Sequence, residues 1–96
     1  MFKGEFIGYV VNDAIVKEKN GRKYTSFSIG CSERNNKGEN TTIWVGCYIN
    51  NDGFSSYITK GKQVFLRGDV RIGIYENKVN INCYVLEIQL LGKKDD

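Results

Sequence analysis

Histidine and proline are absent from this chain of 96 residues. Without His the commonest general base and metal ligand is missing. Without Pro the bends must be made by Asn and by the 11 glycines. Cysteine is sparse: Cys31, Cys47 and Cys83 stand far apart, with no paired spacing. That argues against a zinc cluster or a disulfide framework and for free thiols in a reducing cytoplasm. No apolar run approaches the roughly 20 residues of a membrane span. The segment from Met1 to Tyr9 lacks the apolar core of a signal peptide. No carboxylate pair, metal cluster or nucleophile–base arrangement is evident, so an enzyme is the least supported class and no cofactor is implied.

What is present describes one modest domain. Hydrophobic residues make up 41% and charged residues 26%, as in ordinary globular chains. The net charge of +3 leans only mildly towards polyanions. Placement is more telling. Along Gln63 to Tyr75 the residues alternate strictly, and a strand's period of two sends Val64, Leu66, Gly68, Val70, Ile72 and Ile74 into a core. The other face carries Phe65, Arg67, Asp69, Arg71, Gly73 and Tyr75. Rings and guanidinium groups together are what a single-stranded nucleic acid needs from a protein groove. A solvated strand face with supporting aromatics gives the same pattern.

In chain order, Phe2 to Val16 predicts a long, strongly bent first strand, interrupted by Gly4 and Gly8, with a second irregularity at Asn12-Asp13. Asn20-Gly21 is a hairpin signal between strand-like runs. The second strand, Arg22 to Ser32, turns Thr25, Phe27, Ile29 and Cys31 inward. Glu33 to Asn40 is polar throughout and reads as a loop, where Arg34 and Lys37 are candidate phosphate contacts. The third strand, Thr41 to Asn50, buries Ile43, Val45, Cys47 and Ile49 and turns Trp44 and Tyr48 outward. An outward Trp marks a contact surface, unless a helix or a second subunit covers it. Asn51 or Asp52 caps an expected helix of about two turns, with Phe54, Tyr57 and Ile58 as its apolar stripe and Lys60-Gly61 at its end. After the basic strand, Glu76-Asn77 makes a tight turn. The last strand turns Val79, Ile81, Cys83 and Val85 inward, and its apolar positions then shift to Leu86, Ile88 and Leu90, which predicts a bulge near Leu86-Glu87.

Five strands, a bent first strand and one short helix between the third and fourth describe an all-β OB-fold, a five-stranded partly open barrel. One domain is expected over 1–92, with a short charged tail over 93–96. The chain resembles the bacterial and phage-type single-stranded DNA-binding protein family. The matching pieces are Phe6-Ile7-Gly8 followed by Asn12-Asp13, Tyr24 to Glu33, Thr42-Ile43-Trp44, Tyr57 to Val64, Gly68-Asp69-Val70-Arg71, and Glu87 to Leu91. They run in order over nearly the whole chain.

The resemblance implies single-stranded DNA as partner, self-association as a dimer or tetramer, and a bacterial cytoplasm or nucleoid, or a phage or mobile-element origin. By position, Trp44 and Tyr75 match stacking aromatics, Arg71 matches a basic contact, and Lys60 matches the basic residue before the helix-ending glycine. Arg67 and Phe65 share the exposed face of the basic strand, Lys62 follows Lys60, and Arg34 is the loop's basic candidate. Two positions usually aromatic in the family are Asn35 and Asn50 here, and Tyr48, Phe65 and Tyr84 are the rings that could compensate. Cellular members continue into a flexible linker and an acidic recruiting tip, whereas these residues end at Lys94-Asp95-Asp96. Partner recruitment is therefore not carried over. An OB-type protein-interaction module, of replication-restart or assembly type, and an RNA-binding OB domain fit the same pattern.

Overall fold

The computed structural model describes residues 2–93, without the side chain of Lys93. Six strands follow in order: β1 Lys3–Val10, β2 Ile15–Lys19, β3 Arg22–Arg34, β4 Asn40–Ile49, β5 Lys62–Tyr75 and β6 Lys78–Lys93. Among the described residues one 3₁₀ turn, Ser55–Tyr57, interrupts them. They form one sheet in the order β1-β5-β6-β4-β3-β2. A short β1–β3 contact, Tyr9 to Gly30 and Val10 to Ile29, closes that sheet into a barrel. β4 and β6 run parallel over Val45–Tyr48 and Ile81–Tyr84, and every other pairing is antiparallel. This is the OB-type barrel.

The core follows from side-chain parity. Thr25, Phe27 and Ile29 of β3, Val45, Cys47 and Ile49 of β4, and Val64 and Leu66 of β5 turn into one cluster, with Val10, Ile58 and Cys83. Thr25 is the buried polar residue, and its hydroxyl donates to the carbonyl of Asn51 at 2.7 Å, fixing the chain as it leaves β4. Burial of Thr25 is thus compensated by a hydrogen bond.

The expected first strand is realised as two. At residues 11–14 the chain leaves the sheet to meet the segment after the 3₁₀ turn. The N–H of Ala14 donates to Ile58 O and that of Gly61 to Val10 O, both at 2.9 Å. The N–H of Lys60 donates to Asp13 Oδ1 at 2.8 Å. Just before the break, β1 passes so close to β3 that a Cβ on Gly8 would lie 2.6 Å from Gly30 O. Only glycine fits where the barrel closes.

The expected two-turn helix is a single 3₁₀ turn. Asn51 Oδ1 accepts from the N–H of Gly53 instead of capping a helix. Phe54, at the N-cap, makes no side-chain cap bond. Consecutive Ser55 and Ser56 add weak helix propensity. Phe54 and Tyr57 are exposed, and Ile58 alone, 0% exposed, plugs the barrel end.

Both hairpin turns form as expected. Asn20 and Gly21 take φ of 53° and 78°, and Glu76 and Asn77 take 50° and 64°, the left-handed pair of a type I′ turn. The polar loop is shorter than expected, because β3 continues to Arg34 and β4 starts at Asn40. The bulge falls at Leu86: Arg67 pairs with Glu87 and Gly68 with Val85. Leu86 itself points outward, while Ile88 and Leu90 return to the core.

The core assignment of Ile72, Ile74 and Val79 is corrected by the structure. All three are exposed, Ile74 by 79%. β1 covers β5 only as far as Asp69, and β4 covers β6 only from Ile81 onward. Beyond those points β5 and β6 form a two-stranded arm with no strand beneath it among the described residues. Of the expected tail over 93–96, Lys93 ends β6 and the rest lies outside the described residues.

Replacing Ile58 by Ala is expected to cost about 2–5 kcal/mol, because it empties a fully enclosed site. Tyr57→Ala should stay within about 0.5 kcal/mol. Urea unfolding of both variants measures the contrast, and equal losses would mean that the turn packs as a helix would.

Candidate nucleic-acid interface

The outer face at the β3–β4–β6–β5 junction is built by the same parity that builds the core. Tyr24 of β3, Tyr48 of β4 and Tyr84 of β6 all turn outward, and the parallel register sets Tyr48 beside Tyr84. Their rings stack at 5.4 Å between centroids and 26° between planes. Tyr24 extends the row at 6.4 Å and 51°. From β5, the Arg71 guanidinium lies over the Tyr84 ring at 5.0 Å. A cation over a ring at that distance is attracted by the ring's quadrupole. It also keeps a positive charge at the edge of the stacking surface.

Beside this row opens a groove of about 940 Å³. Its walls are the β2–β3 hairpin, with Lys19 and Arg22, the end of β4 with Asn50, and Asp69 and Leu86 across from them. The groove is therefore aromatic on its floor and basic on one rim. Tyr24, Lys19 and Arg22 were not among the sequence candidates. For Tyr24 a signal existed, since it alternates with the core set Thr25, Phe27 and Ile29, but only the pairing of three strands shows that the rings meet.

The ten candidates separate into three groups. Tyr48, Tyr84 and Arg71 come together in the row. Trp44, Arg34 and Tyr75 share the outward face but lie further out. Trp44, 61% exposed, lies across Gly30 of β3, four residues from Tyr48 and so about 13 Å along the strand. Arg34 ends β3 opposite Asn40. Tyr75, 68% exposed, ends β5 at the tip of the free arm.

The remaining four lie away from the row. Phe65 sits between Ile7 of β1 and Gln89 of β6. Arg67 donates to Glu87 Oε1 at 2.8 Å in an exposed ion pair. Such a pair adds little stability, yet it neutralises a charge that the sequence offered to phosphate. Lys62 opens β5 at the opposite end from Tyr75, and Lys60 precedes it. Of the two missing platforms, Asn50 lines the groove. Asn35 folds its own loop: its Oδ1 accepts from the N–H groups of Lys37 and Glu39 at 2.9 and 3.0 Å.

The three cysteines are free. Burial pushes the Cys83 thiol up to about 11, with the charge of Asp69 adding to the effect. Burial raises Cys47 further, followed by Cys83 and Cys31, and raises Cys31 together with Glu33.

A closed five-stranded barrel with stacked rings and a guanidinium on its outer face is an OB-fold of the oligonucleotide-binding kind. The family model described as "Single-strand binding protein family" matches residues 1–91. The chain belongs to that family. Among solved structures it is similar to a small single-stranded DNA-binding protein from Streptomyces coelicolor (TM-score 0.77, 12% identity, covering 93% of this chain and 91% of that one). It is also similar to a Plasmodium falciparum SSB in complex with ssDNA (0.70, 19%, 98% and 96%). A third is the dimeric N-terminal domain of PriB from Thermoanaerobacter tencongensis (0.67, 18%, 96% and 98%). No curated protein sequence matches the chain.

The raised thiols carry a pH dependence. The fold favours the protonated form, so the unfolded chain gives up these protons first as pH rises. The contribution of Cys83 is full below about pH 9 and is lost as pH climbs through about 11. Urea midpoints measured across that window should fall, and they should fall less steeply in Cys83→Ala. An identical slope in the variant would show that the thiol does not contribute.

Proposed function

We infer that this chain binds single-stranded DNA without catalysis and largely without regard to sequence, in DNA replication, repair and recombination. The observation that carries this reading is the Tyr24–Tyr48–Tyr84 row with Arg71 on its last ring. Every base has a face that can stack, so rings in a row accept any sequence. Arg71, with Lys19 and Arg22 on the groove rim, supplies the phosphate contacts. Trp44 and Tyr75 extend the path outward along the two hairpins, with Arg34 beyond Trp44. Lys60, Lys62 and Phe65 lie towards the start of β5, away from the row, and serve at most a longer, wrapped strand, while Arg67, nearer the groove, is held by Glu87.

The working unit is one domain over 1–92 that self-associates. Among the described residues, β1 from Lys3 to Gly8 pairs with β5 on one side and with no strand on the other. Phe2 and Ile7 are exposed beside that open edge. An unpaired edge with apolar neighbours is a liability unless another chain covers it. The dimeric PriB neighbour is consistent with such an arrangement. Free thiols suit a reducing cytoplasm or nucleoid.

Titration of Trp44 fluorescence with oligo-dT at two salt concentrations tests the reading. Quenching that weakens as salt rises is expected, because phosphate contacts release counterions. Tyr84→Ala should cost about 1–3 kcal/mol of binding, and Arg71→Ala should reduce the salt slope by about one unit. If oligo-dT at low salt neither binds nor changes the signal, the aromatic row serves a protein contact instead.

A further inference from the structure

Among the described residues, one buried side-chain oxygen on this face has no hydrogen-bond partner. Asp69 of β5 lines the groove opposite Tyr84 of β6 on one side and Lys3 of β1 on the other. Its Oδ1 is shut off from solvent and accepts no hydrogen bond. The neighbouring cations are engaged elsewhere or stand apart. Arg67 pairs with Glu87, Arg71 lies over the Tyr84 ring, and Lys3 makes no ion pair with Asp69 among the described residues. A buried carboxylate oxygen without a donor is unfavourable. A carboxylate in a groove that holds a polyanion also repels phosphate. Both disadvantages disappear when the group that meets it is a base edge carrying N–H donors.

We propose that Asp69 is a base-reading residue that gives this groove a preference for guanine at one position of a bound single strand. The proposal rests on the single-strand reading above and names the base that its aromatic row holds best. An ionised carboxylate only accepts hydrogen bonds, through two oxygens side by side. Guanine is the base whose pairing edge sets two donors next to each other, N1–H and the N2 amino group. Cytosine and adenine place a ring-nitrogen lone pair beside their amino group. Thymine flanks its single N–H with two carbonyl oxygens. Each of these three brings an acceptor against the carboxylate, a mismatch that excludes as well as selects.

The placement suits this match. Asp69 and Tyr84 are register partners on adjacent strands, with Cα atoms about 5 Å apart. Tyr48 and the Arg71 guanidinium already cover the Tyr84 ring, so a base that displaces Arg71 from the ring turns an edge towards Asp69. Oδ1 is sealed in the conformation observed, and the terminal torsion of an aspartate is broad, so the carboxylate presents both oxygens to that edge by rotating as the base enters.

The test compares three oligonucleotides of about twelve residues: plain oligo-dT, the same with one central deoxyguanosine, and the same with one central deoxyinosine. A single guanine avoids self-structure, and inosine lacks only the N2 amino group. Binding is read by Trp44 fluorescence at fixed low salt. The guanine oligomer should bind about tenfold more tightly than plain oligo-dT, the factor expected for a hydrogen bond to a charged group. Inosine should lose most of that gain. Asp69→Asn should abolish the gain and bind plain oligo-dT somewhat more tightly, because an anion has left the groove. Equal affinity of wild type for the guanine and thymine oligomers overturns the proposal while leaving single-strand binding intact. A guanine gain that survives in Asp69→Asn overturns it too. Failure of all three oligomers to bind wild type removes the single-strand reading and this proposal with it. The inosine comparison uses wild type alone, so it stands even if the variant folds poorly.

Discussion

The parallel pairing of β4 with β6 is the constraint on which both sides of the barrel wall depend. Over Val45–Tyr48 and Ile81–Tyr84 it joins a strand from the middle of the chain to the last strand. On the inner side it sets Cys47 beside Cys83 and Val45 beside Ile81, filling the core. On the outer side it sets Tyr48 beside Tyr84, which makes two separate tyrosines into a stacked pair. A parallel pair cannot be joined by a tight turn. Here the connection runs through the 3₁₀ turn and the whole of β5, and closing so long a loop carries an entropic cost that core burial must offset. Ile58 and the ties from residues 10–14 to 58–61 contribute by sealing the end that this connection crosses. Site and stability therefore share one element.

Local features of this fold were legible in the sequence because their causes are local. Asn20-Gly21 and Glu76-Asn77 make their turns through left-handed backbone that those residue types tolerate. A change of parity after Val85 revealed the bulge at Leu86, and alternation sorted Thr25, Phe27, Ile29, Val45, Cys47, Val64 and Leu66 into the core. Alternation reports which face a side chain takes, not whether anything lies on that face. Ile72, Ile74 and Val79 alternate as well as their buried neighbours do, but the strands that would cover them end too soon. Phe54, Tyr57 and Ile58 have helical spacing, yet three apolar residues among serines and glycines cannot sustain a helix. The site was legible as a list of residue types on strand faces. Its geometry was not, because the meeting of Tyr24, Tyr48 and Tyr84 depends on two strand pairings distant in sequence.

Relative to the family pattern, the aromatic surface is displaced towards the middle of the sheet. Asn35 stands where the family often has a ring, and its amide instead closes the 35–39 loop. Asn50 stands at the other such position and lines the groove with a polar group. Rings at those strand ends would grip a base from the margins. Tyr24, Tyr48 and Tyr84 rise instead from the sheet itself, where neighbouring strands restrict their movement. A stacking surface held by the sheet loses less conformational freedom on binding than one carried on loops. Fewer platforms can thus be offset in part by better preorganised ones.

Charge on this face is used sparingly. The chain carries a net +3, Arg67 is neutralised by Glu87, and Asp69 adds an anion where phosphate would pass. Binding by phosphate contacts alone would leave such a groove weak. Arg71 resolves part of this by serving two purposes, since its position over Tyr84 orients the ring and keeps its charge at the groove edge. Stacking and charge are therefore coupled at one point. On the reading proposed above, the anion at Asp69 pushes the sugar–phosphate backbone towards the basic rim at Lys19 and Arg22 and leaves the tyrosine floor to the bases. In that proposal a groove with one acidic and one basic wall fixes which side of the strand faces inward, and that orientation lets an edge of the base be read.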